Sequence, residues 1–549
     1  MKEIDTRECK FVFYSDPKHE EDKDIHIVVE LITYKDGTKE KKLTTIEDFK
    51  RSFWITKQAY RKHKQKKECE LLDRLIEYKS TQKDLGRNIN RILGGGRFRG
   101  DNTLFNARNS PYVYGISVDT RAIIKKAYMD KYPTVIPSLE VAAYDIEVDI
   151  DTDEIVIISV AMQDKIATFI KKSVIDKTDK PIDQLNYLFT KYIPKTDITE
   201  HIKREYYICN TELDLVKDSI NKAHEWKPDI LAVWNVKYDM GKLLGVCKKF
   251  EVDPKDIFSD PSLKKEYRFF HAKWGIEKKV TASGVVQPKG PEEQWHVFEA
   301  PAYFYWLDAM STYNFVRSGS KKVPGGYSLN NILETELGTK YKKLKFKEDD
   351  NIIDGVDWHR HMLSKRPLEY IVYNQWDVIS MLELDNNIKD ICVSLPTLSM
   401  YSSFNIFHKG PTTIADHLHF LYLSYGKVLG CPPSKKTEDD ELLGRDGWIL
   451  TLPIDRIKER TSKYLDQDNL MAGIFLHTYD SDQVSGYPSN TIACNVSRET
   501  TLSELMDIEG IEKDEFKKQN MNLFYGKVNH LEYGQTMFNL PNLYDLGWN

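Results

Sequence analysis

The chain has 549 residues, 41% hydrophobic and 30% charged, a globular balance too long for one core; about one domain per 150 residues gives three or four. A net charge of −5 excludes a globally basic nucleic-acid binder, so any groove for a polyanion must be local. Seven scattered cysteines without a CxxC pair suggest neither a zinc site nor a disulfide framework.

The polar start MKEIDTRECK does not read as a signal peptide, and no apolar run approaches the roughly 18 residues of a membrane helix. A cytoplasmic protein with reduced thiols and no membrane partner is expected. Residues 1–138 read as a mixed N-terminal domain, in which strand-like runs such as IHIVVELITY alternate with a basic stretch, Lys57 to Lys67. That stretch reads as a helix whose cations either meet DNA phosphates or face solvent. Gly94 to Gly100 (GGGRFRG) lacks the Lys-Ser or Lys-Thr of a phosphate loop and reads as a hinge.

Residues 139–385 alternate strand-like runs (AAYDIEV, IVIISVAM, DILAVW) with helical ones, so an α/β domain is expected. Residues 386–440 read as a helical connector that can return to the N-terminal domain. Residues 441–549 open with the apolar run GWILTLPI and form a further region.

The acids of 139–385 fall at telling positions. Asp145 and Glu147 are i and i+2 in an apolar strand, so both point to one face. Two carboxylates there are costly without cations or partners. The turn-like DIDTDE then leads into IVIISVAM, which predicts a hairpin. DILAVWNVKYD ends a strand at Trp234 and places Asn235 and Asp239 at a strand-to-helix junction, where ligands commonly gather in α/β sheets. EYIVYNQWDVISMLELD reads as a helix with Tyr373 and Asp377, i and i+4, on one face. Asp308 ends an aromatic strand and reads as a structural hydrogen-bonding acid, with metal assistance as the alternative.

Asp-x-Glu, then Asn-x-x-Tyr-Asp, then Tyr-x-x-x-Asp resembles the three motifs of the DEDD superfamily, in the tyrosine subtype that proofreads for many DNA polymerases. The resemblance implies a ribonuclease H-like fold and a 3′→5′ exonuclease. Asp145, Glu147, Asp239 and Asp377 would hold two Mg2+ (or Mn2+) ions, Tyr373 would orient the attacking water, and Asn235 would sit by the metals or the bound DNA strand. Two such ions, about 3.5–4 Å apart, stabilise the attacking and leaving oxygens of phosphodiester hydrolysis.

Further along, Asp482-Gln-Val-Ser485-Gly486-Tyr487-Pro488-Ser489 resembles palm motif A of family B DNA polymerases, with Gly486 replacing the usual Leu. By this resemblance Asp482 holds a polymerase Mg2+, Tyr487 stacks under the incoming sugar, and Ser485 and Gly486 meet the triphosphate. The match is nearest in character to replicative polymerases of tailed bacteriophages, and implies a host-cell cytoplasm. Palm motif C is absent; Asp151-Thr-Asp153 copies its centre but lies in the nuclease turn. Lys518 to Gly526 fits fingers motif B in letters, yet follows Asp482 by only 36 residues, too few for a helical fingers excursion.

The expectation is therefore the N-terminal subunit of a split family B polymerase: an N-terminal domain, an exonuclease and a partial palm. Its implied partners are primer-template and single-stranded DNA, a C-terminal chain bringing fingers, motif C and thumb, and a sliding clamp with other replisome proteins. The polymerase metal would bind only with that chain present. Two other readings stay open, a free-standing DEDD nuclease acting on DNA or RNA and a non-catalytic DNA-binding scaffold.

Overall fold

The run VAAYDIEVD is extended over Val141–Asp149 (β1) and turns back into Glu154–Met162 (β2) as an antiparallel hairpin that pairs Asp145 with Ser159. The computed structural model describes residues 2–15, 23–63, 67–94, 103–108, 110–280, 285–317, 323–346 and 355–431. The hairpin turn is tight: the Asp149 carbonyl accepts the Asp153 amide at 2.7 Å, and Asp153 adopts φ +59°.

Four more strands complete a mixed sheet: Lys165–Lys171 (β3), Lys203–Cys209 (β4), Ile230–Val233 (β5) and Tyr305–Asp308 (β6). The order is β4-β3-β2-β1-β5-β6. β1, β2 and β3 form an antiparallel meander; β4 runs parallel to β3, and β5 runs parallel to both β1 and β6.

Both faces of the sheet are covered, so β1 reads as a near-continuous apolar run rather than an alternating one. On one face Ala142, Tyr144, Ile146 and Val148 pack with Leu215 and Ile220 of helix Glu212–Trp226 (α1) and Met240 and Leu243 of helix Val236–Lys249 (α2). On the other face Val141 and Ala143 meet Ile371 and Val378 of helix Pro367–Ile388. That helix starts with Pro at its first turn, where the missing amide costs nothing. It is buried continuously from Tyr370 to Leu382. Side chains such as Ile371 and Ile379, with no exposed surface, each contribute about 1.5–3 kcal/mol relative to exposure and pin the helix to the sheet. The pinning matters because Asp145 and Glu147 belong to this same face.

The N-terminal region carries an antiparallel sheet of Ile4–Ser15, Ile25–Tyr34 and Lys39–Glu47, whose Phe11, Phe13 and Ile27 join the apolar cluster under the main sheet. The chain after the long helix forms a helix at Gly410–Ser424 and a strand at Lys427–Leu429, which pairs antiparallel with Cys69–Leu71. The described residues are thus mixed α/β throughout. No described helix is long and apolar enough to cross a membrane, and no disulfide forms among the described cysteines.

One expected element differs. In its described residues the basic stretch from Lys57 holds a single 3-10 turn, Gln58–Tyr60, rather than a helix. Its crowded cations offer no apolar face to offset the cost of helix nucleation, and Lys57 is tied instead to Arg74, its amide donating to that carbonyl at 2.9 Å. The hinge sequence after Gly94, together with Asp482, Ser485, Gly486, Tyr487 and the Lys518–Gly526 stretch, lies outside the described residues.

Candidate active site

Three further helices complete the surroundings of the acids: Ala309–Val316 (α3), Leu329–Leu337 (α4) and Val356–Lys365 (α5), with the pinned helix Pro367–Ile388 as α6. On α6 the residues Tyr370, Tyr373, Asn374 and Asp377 are spaced i, i+3, i+4 and i+7, one stripe of a helix. The stripe faces Asp145 and Glu147 of β1. Carboxylate oxygens of Asp145, Glu147 and Asp377 all lie within 4.8 Å of one another.

Asp239 sits in the first turn of α2, where the positive end of the helix dipole favours an acid. It lies outside the 4.8 Å trio but adjoins it. Burial pushes its carboxyl up to about 8, and Glu147 adds to the shift, while the Asp239 and Ile146 backbone amides oppose it. Asp145 is raised well above the carboxylate range, first by burial and then by Asp239, Asp377 and Glu147 in turn. Four acids therefore share one electrostatic neighbourhood, and their mutual repulsion is what a bound cation would relieve.

Each acid of the trio has a specific neighbour. Asn374 Nδ2 donates to Asp145 Oδ2 at 2.7 Å. The Tyr370 hydroxyl donates to Glu147 Oε2. Lys343 Nζ donates to Asp377 Oδ2 at 2.6 Å and to the Tyr373 hydroxyl oxygen at 3.0 Å. Burial raises Asp377 to about 6 even against the pull of Lys343. Asp377 Oδ1 is buried with no hydrogen-bond partner. An unsatisfied buried oxygen among hard oxygen donors fits a Mg2+-type ion.

Tyr373 is almost fully buried, its ring 4.9 Å from that of Trp358 on α5. Burial and the Asp377 charge hold its phenol protonated far above neutrality. Asn235 caps α2 only through its backbone; its side chain makes no capping bond and is exposed. Asp308 is buried at the start of α3, where Oδ1 accepts the Ser311 amide at 2.7 Å, a helix-capping role. Burial raises it to about 7 against those amide bonds.

Lys343, Tyr370, Asn374 and His359, whose Nδ1 lies 2.7 Å from the Tyr370 hydroxyl, are residues around the acids that the motif spacing did not single out. For Tyr370 and Asn374 the signal was present, since both share the Tyr373–Asp377 stripe. Lys343 had none: it stands in a lysine-rich run, and is placed by its amide donating to Asn330 Oδ1 at 3.0 Å, with Trp376 Nε1 holding the Lys342 carbonyl at 2.9 Å.

No family model matches the chain, and no curated protein matches it.

Proposed function

We propose that the chain is a two-metal 3′→5′ exonuclease of the DEDD tyrosine type, with a ribonuclease H-like nuclease domain, degrading single-stranded DNA ends in the setting of a family B DNA polymerase. The observation that carries this reading is the meeting of Asp145, Glu147 and Asp377 within 4.8 Å, beneath a tyrosine on the same helix face.

Asp145, Glu147 and Asp377 would hold the divalent cations, with Asp239 beside them. Bound Mg2+ would supply charge stabilisation to the attacking and leaving oxygens. The chain's own residues do the rest. Tyr373, protonated and fixed by Lys343, offers its hydroxyl to orient a water toward the terminal phosphodiester. Asn374 and Tyr370 keep the Asp145 and Glu147 carboxylates turned to the same point. The water oxygen bonds to phosphorus as the bond to the upstream 3′-oxygen breaks, leaving a mononucleotide and a new 3′-hydroxyl.

The octapeptide from Asp482 to Ser489 favours DNA over RNA and a polymerase setting: Asp482 is proposed as a palm metal ligand, and Ser485, Gly486 and Tyr487 as contacts of the incoming nucleotide. The test is incubation of the purified chain with 3′-labelled single-stranded DNA and RNA in Mg2+. Release of mononucleotides from DNA, stopped by EDTA, is the expected result. A marked preference for RNA would favour a free-standing nuclease, and no digestion of either would favour a scaffold.

A further inference from the structure

We propose that His359 and Tyr370 are positioning residues for Glu147, a relay in which the imidazole fixes the tyrosine and the tyrosine aims the carboxylate at a divalent cation. The inference deepens the nuclease reading and rests on it.

Hydrogen-bond arithmetic sets the direction of the relay. A Glu147 carboxylate that holds a cation can only accept, so the single Tyr370 hydroxyl proton goes to Glu147 Oε2. The Tyr370 oxygen also lies 2.7 Å from His359 Nδ1. With the tyrosine proton already committed, that contact must be donated by His359, which assigns the proton to Nδ1. His359 Nδ1 is 3.6 Å from Glu147 Oε2, beyond a good hydrogen bond, so it acts through Tyr370.

The two residues come from different helices. Tyr370 is buried in α6, whereas His359 lies in the first turns of α5 with its side chain about one-third exposed. Arg360, the next residue on α5, pairs through Nε with Asp151 at 2.8 Å. Asp151 is in the turn that follows Glu147's own strand, so α5 is tied to the hairpin it would serve. The Trp358 ring meets the His359 ring edge-on at 5.0 Å and limits its rotation.

Outer partners of metal-binding carboxylates typically change metal affinity by about 10–100-fold when removed. Mn2+ binding to the full chain, followed by electron paramagnetic resonance, is the readout. Tyr370→Phe should weaken Mn2+ binding by about tenfold or more. His359→Ala should weaken it as well, and His359→Asn, which can place an N–H where Nδ1 stands, should recover most of the loss. His359→Ala added to Tyr370→Phe should weaken binding no further, because the imidazole acts only through the hydroxyl. Unchanged binding in both single variants, or a full additional loss in the double variant, would overturn the relay. Melting temperatures in EDTA separate misfolding from lost binding; should Tyr370→Phe fail to fold, the Ala and Asn variants of the part-exposed His359 still decide. A wild-type chain that binds no Mn2+ would instead overturn the nuclease reading itself.

Discussion

Lys343 Nζ lies 2.6 Å from Asp377 Oδ2, so a cation of the chain itself already leans on one of the clustered carboxylates. Burial works against its charge, but Asp377, Tyr373 and Asp145 outweigh that and hold the ammonium well above the ordinary lysine range. The same nitrogen donates to the Tyr373 hydroxyl oxygen. Lys343→Met should therefore separate two effects. Metal should bind at least as tightly, because a competing positive charge is gone. Digestion should nonetheless fall by about 10–100-fold, because Tyr373 loses its fixed orientation. Calorimetric Mn2+ binding and the rate of mononucleotide release check the two halves; a fall in both by the same factor would mean that Lys343 only supports the fold.

Asp145 is the acid most crowded by its neighbours, raised by burial and by three further carboxyls. Asp145→Asn keeps the Asn374 contact possible and removes an ionisable group from the crowd. Digestion should drop about a thousandfold or more, a loss of roughly 4 kcal/mol of transition-state stabilisation. The metal-free chain should not be destabilised, and its melting temperature should hold or rise by about 1 °C. Retained activity, or a clear fall in melting temperature, would place the essential charge elsewhere.

What the sequence disclosed and what it hid divide along a physical line. Asp145 with Glu147, and Tyr373 with Asp377, were legible because strand and helix periodicities fix which neighbours share a face whatever the rest of the fold does. Asp239 was legible as an acid at a strand-to-helix junction, and the hairpin after Asp149 by its run of turn-forming acids. Lys343 and His359 were not, since each reaches the site from a separate segment whose placement depends on packing against α6. The stretch from Lys57 shows the opposite failure: its local composition suggested a helix, and the pairing of its flanks decided otherwise.

The base of β5 depends on a buried charge cluster. Asp229 Oδ2 accepts the Glu140 amide at 2.8 Å, and Asp229 pairs with Lys41 at 2.9 Å and with Lys10 at 3.7 Å. Lys10 is almost fully buried; its other contacts are Glu8 at 2.7 Å and the Ser138 carbonyl at 2.6 Å. The cluster joins the N-terminal sheet to the strands that carry the site. Removing one member leaves buried charge without its partner, so Asp229→Ala should cost about 3–5 kcal/mol in denaturant unfolding. A loss under about 1 kcal/mol, the range of a surface pair, would show the cluster to be solvated.

Site chemistry should also be visible as a pH dependence that metal suppresses. In the folded, metal-free chain burial raises Asp239 to about 8 and Asp377 to about 6, against an ordinary value of 3.8. Between about pH 4 and 8 the folded chain thus keeps protons that the unfolded chain has released. Stability from these groups is full below pH 4 and is lost as pH rises toward 8, because the native state binds more protons in that window. A divalent cation displaces those protons and binds more tightly as they leave. Melting temperature should therefore fall more steeply from pH 5 to pH 8 in EDTA than in Mg2+. Asp239→Asn should flatten the EDTA curve by deleting the group with the highest of these two values. Equal slopes with and without Mg2+ would mean that the carboxylates, however close, do not share a cation.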